Sequence, residues 1–161
     1  MFFPLMIDLT KAKVLIIGGG KIALRKTEKI LSYEGIVDVI SIDFEEDFEK
    51  LKKIYKDKIY LHREKIDDNF RFDRIENYDL VYVATNNSTI NQKISEFCIK
   101  NRILVNSVDD HKKSSFINMG FFESKIDEDD VVVAVSCKGK NPRKVKNILE
   151  SLKKLDKNQE K

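Results

Sequence analysis

The chain has 161 residues, 42% of them hydrophobic and 35% charged, a balance that suits one folded domain with a small extension. Its 30 basic and 27 acidic residues leave a net charge of +3, too even to argue nucleic-acid binding from bulk charge. No apolar run is long enough to span a bilayer, and the opening residues 1–7 read as part of the fold and not as a signal peptide. Cys98 and Cys137 show neither metal-type spacing nor a pairing pattern, which implies a reduced, cytoplasmic setting, with Cys98 a small buried apolar residue.

Residues 14–18 form a continuously apolar strand, the kind buried on both faces of a parallel sheet. The strand runs into three glycines and a helix over 21–33. Ile22, Ala23, Thr27, Ile30 and Leu31 lie near that helix's inner face, and Gly35 stops it. A second strand spans 37–42, a second helix 45–55 and a short third strand 59–62. Residues 67–78 read as a polar loop with one helical turn. Another buried strand spans 80–84. A helix over 89–101 then turns Ile90, Ile94, Phe97 and Cys98 inward, and a further strand spans 103–108. This alternation predicts βαβ units with right-handed crossovers.

After Asp110 the pattern changes. Two strands, 116–122 and 131–136, flank an acidic turn at 127–130. Pro142 opens a helix to about residue 155, and a charged, frayed tail follows. The predicted fold is α/β, a Rossmann-type doubly wound parallel sheet over residues 1–112, followed by a small α+β dimerisation element over 113–161. One small domain can hardly cover the apolar positions of the two late strands (Phe116, Ile117, Phe121, Val131, Val133, Val135), which predicts a homodimer.

Gly18, Gly20 and Ala23 fit the spacing G-x-G-x-x-G/A, directly after a strand and at the start of a helix. In that motif the first glycine permits the tight turn, the second lets a pyrophosphate approach, and the third position lets the helix pack closely. The helix N-terminus then faces the phosphates. Gly18, Gly19, Gly20, Lys21, Ile22 and Ala23 are the expected cofactor contacts; a purely structural glycine turn is the plain alternative. Asp43, beyond the second strand, stands where an acid binds the ribose hydroxyls. Its charge would repel a 2′-phosphate and favour NAD over NADP. Asp38 competes but lies mid-strand, and Asp43 itself also reads as an ordinary solvated acid.

Several separated stretches then converge on one family. Gly18-Gly19-Gly20-Lys21-Ile22-Ala23-Leu24-Arg25-Lys26 matches G-G-G-x-x-A-x-x-K. Ala84-Thr85-Asn86-Asn87-Ser88-Thr89-Ile90-Asn91 matches A-T-(N/D)-(N/D)-x-x-x-N. Asn106-Ser107-Val108-Asp109 with Ser115-Phe116-Ile117 matches N-x-x-D and S-F-x. Val133-Ala134-Val135-Ser136, Gly139 and Pro142 match V-A-(V/I)-S-(S/T)-x-G-x-(S/A)-P, and Pro4 to Leu9 looks like a lead-in strand. On these motifs the chain resembles the precorrin-2 dehydrogenases, the dehydrogenase part of siroheme synthase. It departs from them at Cys137, at Asn141 and at Asp110-His111. The family commonly has a further C-terminal helical region that this chain does not reach. The completeness of a substrate site, and any iron- or cobalt-inserting activity, are therefore open.

The resemblance implies NAD-dependent oxidation of precorrin-2 to sirohydrochlorin in siroheme biosynthesis, with a hydride passing to NAD⁺ and a proton to a base. Asp109 is the expected catalytic base, at a strand's carboxyl end and matching the family's functional aspartate. Neighbouring Asp110 is expected to raise its pKa. The alternative is a turn residue that holds Ser115. His111 is the rival base, and His62 reads as a surface residue. Thr85 and Asn86 either touch a ribose or cap the helix near Thr89, and the Asn106 amide is expected to bridge loop and cofactor. The implied tetrapyrrole substrate carries many carboxylates. Ser115, Ser136, Lys138 and Arg143 are its expected contacts, among Lys112, Lys113, Lys140 and Lys144, although a solvated basic face explains the same cluster. No cluster has metal-ligand spacing. The competing readings are an NAD-binding regulatory or non-catalytic subunit, which needs no base at Asp109, and, more weakly, a class I methyltransferase.

Overall fold

The computed structural model describes residues 2–67, 69–126 and 128–159; the side chains of residues 111 and 156–159 lie outside that description. Five strands, β1 (Lys13–Ile17), β2 (Ile36–Ser41), β3 (Ile59–Arg63), β4 (Leu80–Val83) and β5 (Leu104–Ser107), form one sheet in the order β3-β2-β1-β4-β5. Every pairing in it is parallel. Helices α1 (Lys21–Ser32), α2 (Asp47–Tyr55) and α3 (Ser88–Lys100) connect the strands. This is the Rossmann-type sheet expected from the alternation of elements.

The central strand explains the two-sided core. Side chains alternate along a strand, so Val14 and Ile16 pack with Ala23, Ile30 and Phe48, while Leu15 and Ile17 pack with Ile90, Ile94 and Cys98. Helices α1 and α2 therefore cover one face and α3 the other. The chain leaves β1 toward β2 and β3, then returns to the far side of β1 at β4. The strand order reverses between β1 and β4, and open α/β sheets take ligands at the carboxyl ends of the strands flanking such a point.

Several local expectations change. Ile22 is 46% exposed and not on the inner face of α1, because the fully buried Ala23 takes the inward position of the first turn and adjacent helix residues point about 100° apart. Residues 4–9 form no strand. Asp8 instead accepts from the Thr10 N–H and hydroxyl, at 3.0 and 2.6 Å, and caps a short 3₁₀ turn at Leu9–Lys11. Beyond α1 the left-handed residue is Glu34 (φ +59°), while the Gly35 N–H closes onto Ile30 O at 3.1 Å.

The first compact unit is Phe3–Phe116; the second holds Phe2 and the chain from Ile117 on. In the second unit, β6 (Gly120–Ile126) and β7 (Asp129–Val135) pair antiparallel and α4 (Pro142–Gln159) follows. The strand expected from Phe116 begins at Gly120. The preceding segment is engaged on the free edge of β5. Ser115 N–H and Phe116 N–H donate to Val105 O at 2.8 and 3.3 Å, and Val105 N–H donates to Ser115 Oγ at 2.8 Å. Ser107 N–H donates to Ser114 Oγ at 2.9 Å, so hydroxyls satisfy an edge that would otherwise be open to pairing. Asp129 already faces Ile126 across the hairpin, so the acidic turn is shorter than expected; Asp127 lies outside the described residues. Helix α4 starts at Pro142 as read from the sequence but runs to Gln159, since residues 156–159 hold no glycine or proline stop. Its Val145 and Leu149 press on Gly120, where an added Cβ would meet each at 2.7 Å.

Candidate functional site

The three glycines after β1 lack side chains for different reasons. Gly18 has φ +120°, and a Cβ there would lie 2.3 Å from Ala84 O. A Cβ on Gly19 would lie 2.0 Å from Asp43 O and 2.8 Å from Ser41 Oγ. Both are required by the close approach of β4 and the loop after β2. Gly20 has an ordinary extended backbone (φ −83°, ψ −176°), and a Cβ there would meet nothing within 4 Å. Its bareness leaves open space in front of α1.

That space has the electrostatics of an anion site. No side chain caps α1, and its first turn carries no acid but the exposed Lys21. A helix built for stability alone would favour a carboxylate there. The unsatisfied N–H groups and the positive dipole end suit a phosphate. Ala23 is fully buried and lets α1 seat closely on the sheet, with Thr27 Oγ donating to Ala23 O at 2.9 Å. These residues fit the pyrophosphate of a dinucleotide.

Asp43 follows β2 with its carbonyl against Gly19 and its carboxylate 92% exposed, 3.9 Å from Arg63 Nη1. The competitor Asp38 is occupied: its Oδ1 meets His62 Nε2 at 2.5 Å. Burial, helped by the Asp38 charge, also pushes the Tyr78 phenol up to about 12. His62 is thus half-exposed and tied to Asp38, not a free surface residue.

Beyond β4 and β5 a hydrogen-bonded group forms around Asn91, which is 1% exposed. Asn91 Nδ2 donates to Thr85 O at 3.0 Å and to Asp109 Oδ2 at 3.2 Å. Thr85 Oγ donates to Asn91 Oδ1, and Ser107 Oγ donates to Asp109 Oδ1, each at 2.5 Å. Both Asp109 oxygens are therefore held while the residue stays exposed. Burial pushes its pKa up, but the bonds from Ser107 and Asn91 and the Lys113 charge outweigh that and hold the carboxyl below its usual value. The expected upward shift from Asp110 does not occur, because neighbours in space outweigh the neighbour in sequence.

Other expected contacts are engaged by the protein. The Asn106 amide does bridge, but between Lys26 Nζ (3.2 Å to Oδ1) and Phe116 O (3.1 Å from Nδ2). The Ser115 hydroxyl is on the β5 backbone and the Thr85 hydroxyl on Asn91. Asn87, and neither Thr85 nor Asn86, caps α3; Asn86 is exposed. Two residues that the motifs contained without a role acquire one. Asn91 is the hub just described, signalled by an amide on the apolar stripe between Ile90 and Ile94. Lys26 lies 4.3 Å from the Tyr82 ring centroid, and burial, with Arg25 adding, pushes its amine down to about 8.

Ser136, Lys138 and Arg143 belong to the second unit. There Ser136 Oγ accepts from Lys138 N–H at 3.0 Å, Lys138 has φ +54°, and Arg143 is exposed in the first turn of α4. Asn141 caps that helix, accepting from Lys144 N–H at 2.9 Å. A cleft of about 450 Å³ between hairpin and helix is lined by Phe121, Val135, Cys137, Val145 and Lys153 among others. The His111 side chain lies outside the described residues. Burial pushes the Cys98 thiol up to about 12, consistent with packing and not reactivity. Among the described residues no His, Cys, Asp and Glu group is arranged to hold a metal, and no helix is long and apolar enough to cross a membrane.

The family described as "Putative NAD(P)-binding" matches residues 5–120. The siroheme synthase of Zymomonas mobilis is 29% identical over 154 residues, which cover 96% of this chain and 31% of that protein. The siroheme synthase of Blochmanniella pennsylvanica is 34% identical over 154 residues, 96% of this chain and 30% of that protein. The chain thus spans about a third of the length of these curated relatives. Among solved structures, SirC, a precorrin-2 dehydrogenase, superposes with a TM-score of 0.75 at 26% identity over 94% of this chain and 69% of that one.

Proposed function

The chain belongs to this NAD(P)-binding family, and from that premise we propose that it is an NAD-dependent dehydrogenase that oxidises precorrin-2 to sirohydrochlorin, a step of siroheme synthesis. The observation that carries the proposal is the pairing, on the carboxyl edge of one sheet, of an open nucleotide cradle at Gly20 with a fixed carboxylate at Asp109. When bound, NAD⁺ supplies the hydride acceptor. The chain's own residues do the rest. The first turn of α1 and Lys21 hold the pyrophosphate, Asp43 takes the ribose hydroxyls, and Asp109 accepts the proton. Burial raises the Asp109 carboxyl but the Ser107 and Asn91 bonds hold it below its usual range; it is ionised, as a proton acceptor must be, and the lowering makes it a weak base.

Ser136, Lys138 and Arg143 are the proposed partners of the substrate's carboxylates, with Arg143 suited to bidentate contact. A homodimer through the second unit is part of the same reading, supported by Ile126 and Val132, which are 44% and 42% exposed on the hairpin. A cytoplasmic setting accords with its two free cysteines. The test is anaerobic incubation with precorrin-2 and NAD⁺. Equimolar NADH and sirohydrochlorin are expected; NAD⁺ binding with no turnover would favour a non-catalytic NAD-binding subunit.

A further inference from the structure

We propose that Asn91 is a positioning residue that aims the Asp109 carboxylate and fixes it to the frame of the nucleotide cradle. The inference rests on the reading of Asp109 as the base. Asn91 lies early in α3, beside the core residues Ile90 and Ile94, and is 1% exposed. Its Nδ2 donates to Thr85 O at 3.0 Å and to Asp109 Oδ2 at 3.2 Å, while its Oδ1 accepts from Thr85 Oγ. Turned over, the amide would press its oxygen on two acceptors, the Thr85 carbonyl and the Asp109 carboxylate, so its orientation is fixed. The bonds also run in one direction. Asn87 N–H donates to Thr85 Oγ, Thr85 Oγ to Asn91 Oδ1, and Asn91 Nδ2 to Asp109, so each polarises the next toward the carboxylate.

Stability alone does not call for this arrangement. Asp109 is exposed, and water would satisfy its oxygens without holding them still. Here Ser107 holds one oxygen and Asn91 the other, which costs the side chain its rotamer freedom. The loop that Asn91 grips at its other end is set against the cradle. Ala84 N–H donates to Ile17 O at 2.8 Å, and a Cβ on Gly18 would lie 3.4 Å from Thr85 N. One buried amide therefore references the base to the glycine turn. A reaction between a cofactor in one loop and a base in another needs such a shared frame, since a misplacement of about 1 Å costs about a hundredfold in rate.

Aim is gained at the expense of basicity. Burial raises the Asp109 carboxyl, and the bonds from Ser107 and Asn91 with the Lys113 charge outweigh that. Without Asn91 the carboxylate becomes a stronger base that is no longer aimed. The gain in basicity is a few-fold in rate, roughly, by Brønsted behaviour. The loss of aim is larger, so turnover falls although the base grows stronger. The charged neighbours are Asp110 in the chain and Lys113 in the turn after β5, while Asn91 and Ser107 are neutral; the His111 side chain lies outside the described residues.

The test is single-turnover oxidation of precorrin-2 with NAD⁺ across the acid and neutral range. It compares the full chain with its Asn91→Ala, Asn91→Asp and Asp109→Asn variants and the Asn91→Ala/Asp109→Asn pair, with thermal melts to confirm folding. Asn91→Ala should slow the step at least about tenfold, leave NAD⁺ affinity within about threefold, and move the acid limb upward. Asn91→Asp should move that limb further, because two adjacent carboxylates share a proton. In the Asp109→Asn background, Asn91→Ala should cost less than about twofold more, since Asn91 acts through Asp109 alone. If the Asn91 variants slow the step equally at every pH, or the losses in the pair add, Asn91 is merely structural and the inference falls while the base stands. If Asp109→Asn keeps the native rate, or the native chain leaves precorrin-2 unoxidised, the reading beneath the inference falls and takes it along. Should both Asn91 variants fail to fold, NMR of the native chain decides: the Asn91 side-chain amide resonances should move with the Asp109 carboxyl through its titration, and static amide resonances overturn the inference.

Discussion

Helices α1 and α3 start at the carboxyl edge of the same sheet, yet they treat their first turns in opposite ways. Asn87 Oδ1 accepts from Thr89 and Ile90 N–H at 3.1 Å each and closes the start of α3, while Thr85 and Asn91 lock the loop before it. Gly20 offers α1 no such cap. A capping side chain is worth about 1 kcal/mol over alanine. Against glycine the same side chain is worth only a few tenths of a kcal/mol, so leaving α1 uncapped costs little and keeps its first-turn N–H groups open. The difference lies in the one residue ahead of each helix.

Substitutions in the glycine turn give the largest effects and can break this contrast directly. Gly18→Ala or Gly19→Ala forces a side chain into the backbone of Ala84 or Asp43 and should destabilise the chain by roughly 3 kcal/mol or more in urea unfolding. Gly20→Val should unfold at nearly the native midpoint, because nothing lies within 4 Å, yet weaken NAD⁺ at least about a hundredfold. If Gly20→Val is as unstable as Gly18→Ala, the open space has a structural purpose and the cradle reading loses its support.

At the α3 end the contrast concerns chemistry. Asp109→Asn keeps the shape and removes the basicity, and should slow turnover about a hundredfold without changing NAD⁺ affinity, while His111→Ala costs far less. The pH profile adds a sign. Bonds from Ser107 and Asn91 stabilise the charged form, so the acid limb of the rate profile should lie below the ordinary carboxylate range. Ser107→Ala removes one such bond and should move that limb upward. Native-like turnover in Asp109→Asn would mean that the network merely ties two loops together.

Lys26 gives a slightly smaller effect with a defined pH window. Its ammonium is half-buried over Tyr82, and its pKa falls from 10.5 to about 8 on folding. Below pH 8 both states hold the proton, and the burial cost is fully present. Between about 8 and 10.5 the unfolded chain binds a proton that the folded chain has shed, so stability rises with pH. Against Lys26→Met, the native chain should gain about 2 kcal/mol across that window by urea unfolding. A flat difference would show that the amine keeps its proton when folded.

The sheet was legible in the sequence because its signals are local. The apolar run of β1 and the glycine spacing each act within a few residues, as Pro142 does for the start of α4. The roles of Thr85, Asn106 and Ser115 were not legible, since a hydroxyl or amide that serves a ligand looks the same as one that serves a strand edge. The edge of β5 takes up residues 114–116 and delays β6 to Gly120, a choice made by a strand ten residues upstream. The Asp109 pKa was misjudged for the same reason. Asp110 adjoins it in the chain, but Asn91, eighteen residues away, and Ser107 hold its oxygens.

Exchanging the two caps should give the smallest effect and the sharpest comparison. Asn87→Ala should cost about 1 kcal/mol and leave NAD⁺ affinity unchanged, since the α3 terminus is satisfied by the chain itself. Gly20→Asn should do the reverse. It supplies α1 with a capping amide and changes stability by only a few tenths of a kcal/mol, because glycine is already a tolerable cap. The new amide occupies the N–H groups that a phosphate needs, so NAD⁺ affinity should fall well beyond anything the stability change explains. Urea unfolding and calorimetry on the two variants separate the quantities. If Gly20→Asn leaves NAD⁺ binding intact, the pyrophosphate does not sit at the start of α1, and the two helix termini differ only in how they are capped.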